Sequence, residues 1–273
     1  MSSIELAPRH KQGLSLTHPT MTAAGCFGYT ALSGQLVEMA SLGAVVTNPV
    51  SLRPRHGPQQ PRLVEIPGGL VLNTGQENPG VRRVIQSHAG RWRRLGVPVI
   101  VHLARDLPEA VARCAQALAS TGAVAALEVE LDANMPSAEV GALLQAAQTG
   151  ELPLLVKLPL ANARQLACIS VEWGADALVI GAPPPAAAYH PSGQLVTGRL
   201  YGPTLHALAM AALVEIRRQV DVPLVGCGGI HSLEDARAFL RAGASAVQLD
   251  SILWLDPARA NQILHALSSA QDA

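Results

Sequence analysis

Residues 222–254 read VPLVGCGGIHSLEDARAFLRAGASAVQLDSILW, and this stretch decides the fold. Leu224–Cys227 is a short apolar run, and Gly228–Gly229 makes a tight turn after it. Ser232 stands three residues before Asp235, in the manner of a capping box, and opens a helix. A second apolar run, Ala246–Leu249, follows that helix. Runs that are continuously apolar, rather than alternating, suit parallel strands buried on both faces. The stretch therefore reads as one strand–helix–strand unit of a parallel sheet.

Outward from it, the same unit recurs along the chain. Further candidate strands are Thr20–Ala24, Ala44–Asn48, Val99–Leu103, Ala126–Leu131, Leu154–Leu158 and Ala177–Ile180, which makes about eight. Helical spacing occupies Leu32–Ser41, Gly80–Leu95, Pro108–Thr121, Ser137–Gln148, Asn162–Trp173, Thr204–Val220, Leu233–Ala242 and Pro257–Ser268. Pro108 and Pro257 suit a first helical turn. Eightfold alternation predicts an α/β fold closed as a (β/α)8 TIM barrel, with an open doubly wound sheet as the alternative. A barrel of this kind takes roughly 250 residues, so the 273 residues predict one domain over 1–273.

Composition narrows the function. Twenty basic and twenty acidic side chains cancel, which leaves no net charge to draw the chain onto nucleic acid or an anionic membrane. Aromatics at 3% argue against a base-stacking surface. Charged residues and prolines interrupt each apolar run before it reaches the ~20 residues of a membrane span. The start MSSIELAPRHKQG lacks the order of a signal peptide, and Cys26, Cys114, Cys168 and Cys227 show no CxxC or framework spacing. A cytoplasmic protein with reduced thiols is expected.

Two connections are longer than a barrel needs: 51–78 after the second strand and 181–202 after the sixth. Both leave strand C-termini, where barrels of this class place their active sites. They are expected to carry function; the alternative is a disordered surface insertion. Gly228–Gly229 lies at a helix start beside Asp250–Ser251, the loops after strands seven and eight that form phosphate sites in many barrels. Phosphate binding is expected there, the alternative being that the glycines serve the turn alone, and the Asp250 carboxylate would repel a phosphate unless it points away. Eighteen of the twenty basic residues are arginine, so Lys157 in LPLLVKLPL goes against the chain's own bias. A compact ammonium at a barrel mouth can hold an electron-rich ring atom or a developing negative charge; otherwise Lys157 snorkels to solvent. Glu128, Glu130 and Asp132 alternate to one side of the fourth strand and its end, so either that side meets solvent or, as expected, the carboxylates are paired structurally with partners such as Arg. Cys26 could reach the barrel mouth or be an inert packed thiol. The nine histidines form no ligand pattern and read as surface or loop residues, and no metal site can be assembled.

Together these residues resemble the dihydroorotate dehydrogenases of the soluble class, FMN-containing TIM barrels. The similarity covers most of the chain. It is carried by HPTMTAAGCFGY (18–29), GAVVTNPVSLRPRHGPQQPRLVEIPGGLVLNTGQENPGV (43–81), LPLLVKLPL (152–160), GRLYGP (198–203) and the opening stretch. The run 43–81 is the most specific. The resemblance implies FMN across the strand C-termini, Lys157 at the flavin ring, and Ala24 and Gly25 packed on it. It also implies Gly228, Gly229, Asp250 and Ser251 at the phosphate, Gly202 in the loop before the seventh helix, and Asn73 as a substrate amide ligand. A small-molecule substrate and a homodimer are implied too.

The chain departs from the family pattern in one cluster. Where the family has Asn-x-Ser-Cys-Pro-Asn, residues 132–137 read Asp-Ala-Asn-Met-Pro-Ser. Met135 holds the position of the base, and a thioether cannot accept a proton. Asp132 and Asn134 remain as candidate substrate contacts. Asn48 stands where a lysine is expected, and Asp250 where a glycine is expected. Each lost buried hydrogen bond to substrate costs ~1–3 kcal/mol. The combined reading is a dihydroorotate dehydrogenase-like flavin oxidoreductase acting on a small molecule, with dihydroorotate itself disfavoured. The alternative is a retired barrel that binds a ligand or partner without turnover.

Overall fold

The computed structural model describes residues 3–29 and 37–269. Eight strands make one parallel sheet: β1 Thr20–Thr22, β2 Val45–Val46, β3 Val99–Leu103, β4 Ala126–Glu130, β5 Leu154–Pro159, β6 Ala177–Ala182, β7 Leu224–Cys227 and β8 Ala246–Leu249. From β2 to β8 each strand pairs with its successor in sequence. β8 returns to β1 through Val247↔Thr20, and a parallel bridge Met21↔Ala44 joins the β1 and β2 edges. The sheet thus closes as the predicted TIM barrel.

The strands are buried as their continuous apolar character requires: all residues of β3, β5, β6, β7 and β8 are buried. Outside them run α1 Val81–Trp92, α2 Pro108–Ala119, α3 Ser137–Gln148, α4 Ala163–Glu172, α5 His206–Ile216, α6 Leu233–Arg241, α7 Ile252–Leu255 and α8 Pro257–Ser269. At α6 the sequence logic is explicit. Ser232 Oγ accepts from the Asp235 amide at 3.1 Å, a cap worth ~1 kcal/mol. The buried Phe239 packs over Gly226 of β7, where a side chain would collide with the ring.

Several expectations need adjustment. Of the helix expected over 32–41, residues 32–36 lie outside the described residues, and Met39–Ser41 forms one 3-10 turn. The helix expected over 204–220 begins as a 3-10 turn, Pro203–Leu205, and ends at Ile216. The two long connections are neither plain loops nor disordered insertions. Leu63–Ile66 pairs with Gly69–Leu72, and Pro185–Tyr189 with Leu195–Tyr201. Arg199↔Leu72 and Tyr201↔Leu70 then join the two hairpins into one four-stranded antiparallel sheet. A small apolar cluster of Val64, Val71 and Val196 gives that sheet its own core. Gly202 has φ +139°, and a side chain there would run into the Gly68–Gly69 backbone. Glycine is thus demanded where the two connections cross.

Candidate active site

A cleft of about 750 Å³ lies between the strand C-termini and the antiparallel sheet. Ala24 and Gly25 after β1, Asn48 after β2, and His102 of β3 line its barrel side. Asn73 and Thr197, one from each hairpin, line the opposite side. Tyr201 and Trp254 form an end wall, edge to face with centroids 5.4 Å apart, and Trp254 Nε1 donates to the Cys26 carbonyl at 3.1 Å. The volume is that of a small-molecule or cofactor site.

Beneath the cleft a polar chain crosses the barrel interior. Lys157 Nζ donates to Gln248 Oε1 at 2.9 Å, and Gln248 Nε2 donates to Glu128 Oε2 at 2.6 Å. His102 Nδ1 meets Glu128 Oε1 at 2.9 Å. Lys157 is 3% exposed, and Glu128 and Gln248 are wholly buried. An isolated charge at such depth would be very costly, so each charge here depends on the other. Burial works to raise the Glu128 pKa, but Lys157 and the bonds from His102 and Gln248 outweigh it and hold the carboxyl below its ordinary value. Burial likewise opposes the Lys157 ammonium. The Cys227 sulfur and the Glu128 and Glu130 carboxylates more than offset it, and the pKa stands above the ordinary lysine value. Lys157 therefore does not snorkel; it points inward as a charged group. An ionised Glu128 only accepts, so the proton of the His102–Glu128 bond sits on Nδ1 and Nε2 is the nitrogen left to the cleft.

His102 corrects the reading of the histidines as surface or loop residues. No ligand-like spacing marks it; the available signal is one polar residue inside the apolar run VIVHL. The alternating carboxylates of β4 are paired as expected. Glu128 belongs to the interior chain, Arg199 meets Glu130 at 3.1 Å, and Arg105 pairs with Asp132. Only Glu128 departs in kind, taking His, Gln and Lys in place of Arg. Among the described residues no group of three or more His, Cys, Asp or Glu could hold a metal.

The other candidate residues are scattered. Asn48 and Asn73 line the cleft; Asn48 Oδ1 accepts from the Gly28 amide at 3.0 Å, and both ends of the Asn73 amide are engaged, with Thr197 O (2.8 Å) and the Gly75 amide (3.0 Å). Asp132 is held at the rim by Arg105. Asn134 is exposed with Asn162 Nδ2 3.5 Å away, and Met135 packs against the main core; neither lines the cleft. Cys26 is buried, and burial together with Asp250 pushes its thiol well above the ordinary value, the behaviour of a packed thiol. Gly228, Gly229, Asp250 and Ser251 sit together at the ends of β7 and β8, where His231 Nε2 lies 3.1 Å from Ser251 Oγ. Gly229, with φ +70°, abuts the His206 amide, so packing alone excludes a side chain there.

A family model described as dihydroorotate dehydrogenase matches residues 9–270. The chain is 32% identical to the dihydroorotate dehydrogenase B (NAD(+)) catalytic subunit of Geotalea uraniireducens, over 98% of this chain and 92% of the relative. It is 33% identical to that of Pelobacter propionicus, over 93% and 90%. The chain belongs to the dihydroorotate dehydrogenase family. A solved dihydroorotate dehydrogenase from Eimeria tenella, in complex with ferulenol, superposes with a TM-score of 0.80 over 99% of this chain and 84% of that one, at 18% identity, which agrees with the barrel fold.

The flavin implied for a dihydroorotate dehydrogenase can be tested against these residues. At the ring end they fit: the buried chain from the Lys157 cation through Gln248 and Glu128 ends on His102, which lines the cleft, and Gly25, with φ +82°, has open space where a side chain would stand. At the phosphate end they do not fit: Asp250 is 1% exposed and its Oδ1 already accepts from the Ser251 amide at 2.6 Å.

Proposed function

We propose that this chain is a flavin-dependent oxidoreductase acting on a small molecule other than dihydroorotate. The observation that carries the reading is the buried Lys157 ammonium. Well-packed apolar residues often replace a buried ion pair without loss of stability, so a charge kept there suits a ligand whose charge changes. A bound flavin, FMN being the form that the family resemblance implies, supplies the hydride-exchanging atom. The chain supplies the setting. Ala24 and Gly25 leave a flat wall for a ring, and Lys157 favours negative charge at the ring edge above it. His102, oriented by Glu128, offers Nε2 to take or give a proton at the cleft floor. The antiparallel sheet covers one side of the cleft.

Dihydroorotate is disfavoured on two grounds. Met135 cannot act as a base and lies away from the cleft, and both ends of the Asn73 amide are bonded to backbone. The same two facts favour the second reading, a barrel that binds without turnover. The experiment is flavin titration of the purified protein, read by quenching of flavin fluorescence and by the visible spectrum. The flavin reading expects quenching by at least one of FMN and riboflavin, with affinity falling about tenfold in Lys157→Met, the scale of one charge-assisted hydrogen bond. It also expects a lower reduction potential in that variant, because the anionic reduced form loses its cation. A colourless protein that quenches neither flavin refutes it.

A further inference from the structure

We propose that Asp250 places its own carboxylate beside the flavin tail subsite and takes the Ser251 donors there, so that this chain prefers a flavin ending in a neutral hydroxyl, riboflavin, over one ending in a phosphate dianion. The inference rests on the flavin reading above and specifies which flavin the site takes.

At the ends of β7 and β8 Asp250 already holds donors that an anion would use, those of Ser251. Asp250 Oδ1 takes both the Ser251 amide, at 2.6 Å, and Ser251 Oγ, at 3.2 Å. On the neighbouring turn the His231 amide donates to Asp235 Oδ2 at 3.0 Å, and the Asp235 amide donates to Ser232 Oγ at 3.1 Å. A phosphate arriving here would have to displace a carboxylate that is 1% exposed, and would meet its negative charge if it did not. Lys157, whose charge acts on Asp250, is bound to Gln248 and shared with Glu128.

The second oxygen of the same carboxylate points to what the site accepts. Asp250 Oδ2 is buried and has no hydrogen-bond partner. An orphaned buried acceptor carries a desolvation cost that a donor removes. A primary hydroxyl brings that donor and no charge. A phosphate dianion brings only acceptors, and two more negative charges.

The test is the ratio of dissociation constants for FMN and riboflavin, from fluorescence quenching at neutral pH, in the parent, Asp250→Gly and Asp250→Asn. The parent is expected to bind riboflavin about tenfold or more tighter than FMN, the scale of one hydrogen bond gained. Asp250→Gly frees the Ser251 amide and is expected to invert the ratio. Asp250→Asn keeps the shape without the charge, guards against a folding defect in the glycine variant, and is expected to bring the ratio toward unity. A parent that binds FMN more tightly than riboflavin overturns the selectivity and leaves the flavin reading standing. A ratio unchanged in both variants overturns the role of Asp250. Quenching by neither flavin in any of the three proteins sinks the flavin reading itself, and the selectivity with it.

Discussion

Replacing Lys157 by methionine isolates the one charge on which the site depends. The side chain keeps its length and most of its volume, so little of the effect comes from a cavity. What is lost is the donor to Gln248 Oε1 and the countercharge of Glu128, which is wholly buried. Removing one partner of a buried ion pair costs about 3–5 kcal/mol. Here the pair is bridged by an amide and Glu128 keeps its bond to His102, so the lower end, about 3 kcal/mol, is expected. At about 2–4 °C per kcal/mol for a chain of this size, Tm should fall by about 6–12 °C. Glu128→Gln removes the other charge, and the double variant leaves an uncharged amide chain. A double-mutant cycle should therefore show coupling of about 2 kcal/mol, the double loss being smaller than the sum of the single losses. The sign with pH follows from Glu128. Its folded pKa is depressed, so its contribution is present above its ordinary value near 4.5 and is lost as pH falls through the folded value. The Lys157→Met deficit should thus be largest near neutrality and shrink in acid. Thermal and urea unfolding of the four proteins at several pH values measure all of this. A Tm within about 2 °C of the parent, or strictly additive losses, would show that the two charges do not support each other.

Two other outcomes follow. Met135→Cys restores the thiol of the family motif but not its place, since residue 135 packs against the core and lies away from the cleft; no dihydroorotate-dependent reduction of an electron-accepting dye is expected, and measurable turnover would return the base role to this position. Burial pushes the Asp250 carboxyl above its ordinary 3.8, so this group binds a proton more tightly in the folded state, and its contribution to stability declines as pH rises through that window. Asp250→Asn should then gain Tm relative to the parent as pH rises above the carboxyl's ordinary 3.8, and a difference that stays flat with pH would contradict the buried placement.

The barrel was legible because of how parallel strands are buried. With both faces covered, Leu154–Leu158 and Ala177–Ile180 arrive as unbroken apolar runs, and loop punctuation separates them cleanly. The antiparallel sheet was not legible for the converse reason. Pro185–Tyr189 reads PAAAY, with residues of intermediate or high exposure throughout, and composition cannot tell such a strand from a loop. Lys157 stood out because the chain otherwise uses arginine. Its partners did not, since Glu128 and Gln248 are 120 residues apart and only the closing of the barrel brings them together. His102 was misread for the same reason, its role being set by a neighbour on β4.

The glycines illustrate how a family match can mislead about a ligand. Gly229 abuts the His206 amide, Gly181 abuts the Cys227 carbonyl, and Gly202 crosses the Gly68–Gly69 backbone. Each would be retained by packing alone in a barrel that had lost its cofactor, so their presence does not speak for a flavin. Lys157 answers a different constraint. A barrel interior gains nothing in stability from a bridged ammonium–carboxylate pair that well-packed apolar side chains could replace, and breaking such a pair stepwise is penalised. The pair is therefore metastable in sequence terms: hard to lose by single substitutions, yet unnecessary to the fold. Asp250 belongs with it, because a buried carboxylate with one oxygen unpartnered also costs stability that a glycine would spare. Packing explains the glycines and leaves both charges unexplained, so it is on Lys157 and Asp250 that the choice between a working flavin site and a retired scaffold turns.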